Sequence, residues 1–143
     1  MDHDKPAPRH RRPDGVDDAT VAAVGKLTEA LEVVEQARGL LYGFHRLCGT
    51  ADLTLGEAVD ALRDAGHDGL ADDLQNGLVG RNIVEGRWSF QVVEEYDEGY
   101  YAAFREAERR VRDELVQGRP HLFEAEMKQD RRTHGRPGHS ARP

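Results

Sequence analysis

The chain has 143 residues, of which 38% are hydrophobic and 33% charged, with one cysteine and a net charge of −7; its mean hydropathy is −0.74. That composition leaves material for one modest core, and it excludes both a disulfide framework and a cysteine-built zinc site. No apolar run approaches the roughly 18 residues that span a bilayer, so the expected protein is cytoplasmic, neither secreted nor membrane-inserted.

The charge is unevenly placed. Val16–Gly118 has ten Lys and Arg against twenty-one Asp and Glu, whereas Met1–Gly15 and Arg119–Pro143 are each basic. An acidic body repels phosphate, which leaves the ends as the only segments suited to nucleic acid or anionic lipid. Arginine outnumbers lysine seventeen to three. Ala, Gly, Asp and Val are abundant too, and all have GC-rich codons, so the arginine excess reflects coding composition.

Met1–Gly15 carries Pro6, Pro8 and Pro13 among charges and has no apolar period, which predicts a disordered N-terminal tail (1–15). From Val16 to Cys48, Val24, Leu27, Leu31, Val34, Leu41, Phe44 and Cys48 recur at helical spacing and predict a long amphipathic helix ending at Gly49. Thr54-Leu-Gly-Glu57 has the spacing of a capping box, and predicts a separate short helix with Leu55, Ala58, Val59 and Leu62 on one face and Gly66 as its stop. Asp68 is placed to cap a third helix from Gly69 to about Val79, with Leu70, Leu74 and Leu78 aligned.

Beyond Gly80 the period changes. Trp88, Phe90 and Val92 alternate with Ser89, Gln91 and Val93, which predicts an extended strap or small hairpin, with Glu85-Gly86 as its turn. Helical spacing returns at Tyr100, Tyr101, Phe104, Ala107, Val111 and Leu115 and stops at Gly118, giving a second long helix. Pro120 suits the start of a short helix to about Gln129, and Thr133–Pro143 reads as coil. The expected fold is mainly all-α, a compact helical bundle of two long antiparallel helices, two short ones and a strap. It occupies 16–118, followed by a short helix and basic extension (119–132) and a disordered C-terminal tail (133–143).

Among patterns that carry chemistry, Glu29-x-x-Glu32 and Glu57-x-x-Asp60 are paired carboxylates of the kind that hold magnesium. They resemble part of the acidic signature of the all-α nucleoside triphosphate pyrophosphohydrolases, whose EExxE and later ExxD helices bind the metal that activates water against a phosphate; the first glutamate of that signature is Thr28 here. The resemblance implies a magnesium-dependent enzyme with those four residues as ligands. On helices, however, the four point away from the apolar stripes, so the residues themselves read as solvated faces. His45 and Cys48, three apart, read as core packing beside a helix end rather than as a thiolate pair. The remaining histidines lack ligand spacing, and neither metal nor cofactor is expected.

Gly135-Arg136-Pro137 resembles the centre of an AT-hook, in which an extended arginine segment lies in the minor groove; it implies at most weak, salt-sensitive contact between the C-terminal tail and DNA. Six of the nine aromatics of the chain fall between Trp88 and Phe104, either as a core plug or as a binding surface. As a surface it would consist of Asn82, Arg87, Trp88, Phe90 and Tyr96, with aromatic bodies for contact and polar tips for orientation. The reading that follows is a non-catalytic interaction or adaptor domain that binds a protein partner or itself.

Overall fold

The computed structural model describes residues 2–143 and is mainly helical, with no named strand among those residues. Its elements are α1 (Asp18–Asp64), α2 (Asp68–Gly77), α3 (Ser89–Tyr96), a π-helical turn (Asp97–Tyr101), α4 (Ala102–Val116) and α5 (Leu122–Arg131). The chain divides into two units: one is the chain up to Val34 with Ala102–Pro143, the other is Glu35–Tyr101.

The break expected between Gly49 and Thr54 does not occur, and α1 runs through both without interruption. Thr54 does not cap a helix. Its hydroxyl donates to the Thr50 carbonyl at 2.9 Å, and the Thr50 hydroxyl donates to the Arg46 carbonyl at 3.2 Å, the i−4 bonds that a hydroxyl makes inside a helix. A glycine within a helix costs about 1 kcal/mol. At Gly49 that cost is outweighed because the inward seam continues through it at spacings of three and four, with Cys48, Leu55 and Leu62 half-buried and Val59 fully buried. The helix ends where Gly66 takes φ +85°. There the His67 amide donates to the Leu62 carbonyl and the Gly66 amide to that of Arg63, closing a Schellman turn into α2.

The expected strap is the second correction. Trp88 precedes α3 as its N-cap with extended backbone, and Ser89 to Tyr96 is helical. Among the described residues only Val84 and Arg87 form a β-bridge, across the turn that Gly86 makes at φ +73°. A short apolar run satisfies both periods: Trp88, Phe90 and Val92 alternate, but Phe90, Val93 and Tyr96 are also three apart. Burial of Val93 and the bond from the Trp88 amide to Gln91 Oε1 at 2.9 Å favour the helix.

Through the π turn, α3 and α4 form one helical run, of which only the part from Tyr100 onward was expected as the second long helix. Its inward face is carried by Tyr101, Phe104, Glu108, Val111 and Val116, whereas the expected Tyr100, Ala107 and Leu115 are exposed. Within the second unit, Tyr101 meets Glu35, Asp97 meets Arg38 and Ser89 meets His45, an antiparallel order. Within the first, Thr28 donates to Glu108 at 3.1 Å, and Val21 and Val24 cluster with Val116 and Leu122, again antiparallel. In α2 Ala71 is buried and Leu74, expected on the inward side, is half-buried; Leu70 and, just past the helix, Leu78, expected on that side too, are exposed.

Both ends lack the apolar period that would build long elements. Among the described residues, two 3-10 turns, Asp2–Asp4 and Pro8–His10, are the only helical structure before α1, and no helix follows α5. Their contacts are mostly polar. Arg12 grips Glu126 of α5 through Nε and a terminal nitrogen at 2.8 and 2.9 Å, and the buried Arg132 donates to the Asp4 carboxylate and main-chain carbonyl.

Two substitutions test this packing. Val116 is fully buried, so Val116→Ala should lower the unfolding free energy by on the order of 2 kcal/mol in denaturant melts. Gly25→Ala should also destabilise, although alanine ordinarily improves a helix interior, because its Cβ would lie 2.9 Å from Cβ of Phe123 on α5. An increase in melting temperature for Gly25→Ala would contradict the packing of α5.

Candidate functional site

Within Glu35–Tyr101 the inward seam of α1 carries three polar residues, Arg38, His45 and Asp52, each seven from the next. Each has a partner. Arg38 forms a two-pronged ion pair with Asp97 at 2.8 and 3.2 Å, to which Tyr42 adds a hydroxyl bond at 3.0 Å. His45 Nδ1 lies 2.7 Å from Ser89 Oγ, and Asp52 Oδ1 accepts from the Gly80 amide at 2.7 Å. The guanidinium of Arg38 also sits over the rings of Tyr101 and Tyr42, 4.5 and 5.0 Å from their centroids. These bonds fix the segment from Gly80 to Tyr101 on α1.

Between α1, the segment after α2 and the start of α3, they leave an open groove of about 810 Å³. Leu55 and Cys48 contribute from α1, Leu78 and Ile83 from the connecting segment, and Trp88 closes one side with Asn82 nearby. Trp88 is 55% exposed and packs on Phe90, centroids 5.3 Å apart. The groove therefore offers more apolar than polar area, with Asp52, Arg81, Asn82 and Ser89 as its polar groups, and is suited to contact.

Of the residues expected to bind, Asn82 and Trp88 line this groove and Phe90 supports Trp88. Arg87 is engaged by Glu95 at 2.8 Å. Tyr96 belongs elsewhere, beside Tyr100 and Tyr101 at 5.8 and 6.5 Å, so the aromatic segment splits into two clusters. Glu29, Glu32, Glu57 and Asp60 are all exposed on α1, with about seven helical turns between Glu32 and Glu57. One continuous helix cannot fold back to bring those two pairs to one ion, and Glu29 instead pairs with Lys26 at 3.2 Å. His45 is committed to Ser89, while Cys48 lines the groove. Around Gly135, at φ +73°, the tail turns and the Arg136 amide donates to the Thr133 carbonyl, unlike an extended minor-groove segment.

Sequence reasoning missed a second seam. Ala37, Leu40, Phe44, Leu47, Ala51, Thr54 and Ala58 follow alternating steps of three and four along α1, and every one is exposed. Leu40 is 77% and Leu47 69% exposed. The signal was present in the spacing, but the break expected at Gly49 divided it.

The Asp97 carboxyl is held below the usual carboxylate range chiefly by the Arg38 hydrogen bond, with partial burial opposing and Tyr42 assisting. A carboxyl depressed on folding stabilises above its unfolded pKa of about 3.9, and that contribution is lost as pH falls through the folded value. Asp97→Asn should therefore lower the denaturant midpoint at neutral pH. The gap from the parent should close in acid; a gap independent of pH would mean that the ion pair contributes nothing.

No protein-family model, curated protein or solved structure matches this chain, so the arrangement of its own residues carries the functional reading.

Proposed function

We propose that the protein is a non-catalytic helical interaction domain that self-associates through the outer seam of α1 and the adjoining groove. The observation that carries this reading is the exposed seam from Ala37 to Ala58, whose 3-4 repeat is that of coiled-coil core positions. Gln36, Gly43 and Thr50, which flank it on the side away from the inner seam, are uncharged. From Ala37 to Thr54 a copy of the same helix therefore meets little like-charge repulsion on that side, although the surrounding region is strongly acidic and Glu57 flanks the end of the seam.

The balance of burial supports the same reading. Among the described residues nine apolar side chains are buried, while sixteen large ones are exposed. Single exposed hydrophobics are ordinary, but contiguous ones at heptad spacing mark an interaction surface. Ala51 belongs to both the seam and the groove wall, which makes Trp88 and Ile83 natural neighbours of any helix laid on the seam. Nothing in this region assembles a nucleophile, a base and an oxyanion donor.

Sedimentation at several concentrations should show a monomer–oligomer equilibrium. Leu47→Glu should shift it to monomer without reducing helix content, since glutamate is a good helix former and the site is exposed. Leu53→Glu, on a different face and 74% exposed, should leave it unchanged. The emission of the single tryptophan should move to shorter wavelength as association covers Trp88. A parent protein that is monomeric at all concentrations would remove the reading.

A further inference from the structure

We propose that Glu32, His121 and Glu124 form a binding site for a divalent transition-metal ion of the zinc class. The three residues come from two segments far apart in sequence, the first part of α1 and the start of α5, within one structural unit. One donor atom from each lies within 4.8 Å of the other two. An imidazole nitrogen with two carboxylate oxygens is the donor set of a three-ligand site that leaves a position open to water. The mixture of nitrogen and oxygen favours zinc and its neighbours over calcium or magnesium, which take oxygen donors.

Charge supports the assignment. Glu32 has no ion pair among the described residues, and the basic group nearest Glu124 is the His121 imidazole, at 3.8 Å. The neighbouring guanidinium groups are committed elsewhere: Arg112 to Glu108 and the Gly118 carbonyl, Arg119 to the Arg11 carbonyl and Gln117. Two carboxylates thus converge on an imidazole, and among the described residues neither has a lysine or arginine paired to it to place positive charge at the donor atoms. A divalent ion would supply that charge and tie the start of α5 to α1.

His121 also has an unusual backbone, with φ +59° and ψ +32° at the N-cap of α5. Glycine is the residue that takes this conformation without strain. This provides a substitution that removes the ligand while easing the fold, so loss of metal binding cannot be mistaken for misfolding. The site is independent of the outer seam, and its failure would leave the self-association reading untouched.

The test uses the full chain, stripped of metal, with zinc chloride followed by equilibrium dialysis and by thermal melts. The parent should bind zinc and melt at higher temperature in its presence, while magnesium chloride at the same concentration should have no such effect. His121→Gly should melt no lower than the parent in chelator, yet lose the zinc-dependent rise. Glu32→Gln should weaken zinc binding by about tenfold or more. His10→Gln is the control, because His10 shares a cavity lining with His121 but is not one of the three donors; zinc binding should survive it. Absence of zinc binding by the parent, or binding unchanged in both His121→Gly and Glu32→Gln, would overturn the site and, in the second case, assign the metal to other histidines or Cys48.

Discussion

The second unit depends on three polar side chains placed where an apolar seam would otherwise run unbroken along α1. A uniform 3-4 seam of Leu and Val accepts a neighbour in several registers, since a slip of one heptad replaces one apolar contact with another. Arg38, His45 and Asp52 remove that freedom by requiring Asp97, Ser89 and the Gly80 amide opposite them. A slip of seven would set Arg38 against Phe90 or Phe104 and leave Asp97 beside an apolar or imidazole position. The polar residues thus contribute selectivity between registers more than net burial energy, as expected of partly hydrated ion pairs. The corresponding polar lock in the first unit is Glu108, nearly buried and held by Thr28 and Arg112.

This arrangement explains which parts of the fold were legible in sequence. The inner seam was visible because Val24, Leu27, Leu31 and Val34 repeat without interruption, and the Gly66 stop was visible because the chain there needs a positive φ. Gly49 and Thr54-x-x-Glu57 were misleading because local cues for a break are weak beside a seam that continues on both sides. Local propensity at those positions amounts to about 1 kcal/mol each, which tertiary packing readily exceeds. The segment from Trp88 to Val93 was ambiguous for a different reason: six residues are too few to separate a period of two from one of 3.6.

The candidate sites were less legible than the fold, because they depend on which face of a helix remains uncovered. Trp88 and Asn82 were identifiable as aromatic and polar neighbours, and they do meet at the groove. Tyr96 and Arg87 lie equally close in sequence but are drawn into separate contacts, Tyr96 beside Tyr101 and Arg87 with Glu95. Glu32 was grouped in sequence with residues of its own helix. Its spacing to Glu29 and Glu57 pointed along α1, whereas the imidazole and carboxylate that lie within 4.8 Å of its donor atom come from the far end of the chain. Contacts between residues so distant leave no periodic trace in one sequence.

The two seams of α1 set a further constraint on one another. Leu41, Cys48 and Leu55 of the inner seam lie on the helix beside Phe44, Leu47 and Ala51 of the outer one, so together they form a wide apolar arc. A helix apolar over such an arc leaves part of it in water unless both edges are covered. The returning helical run covers one edge, and its three polar locks stop it from sliding over the other. The exposed edge is therefore a consequence of the register that holds the unit together, and a second copy of α1 offers that edge a surface of the same repeat and low charge. The proposed association would thus be linked to register selection through the single helix that carries both seams.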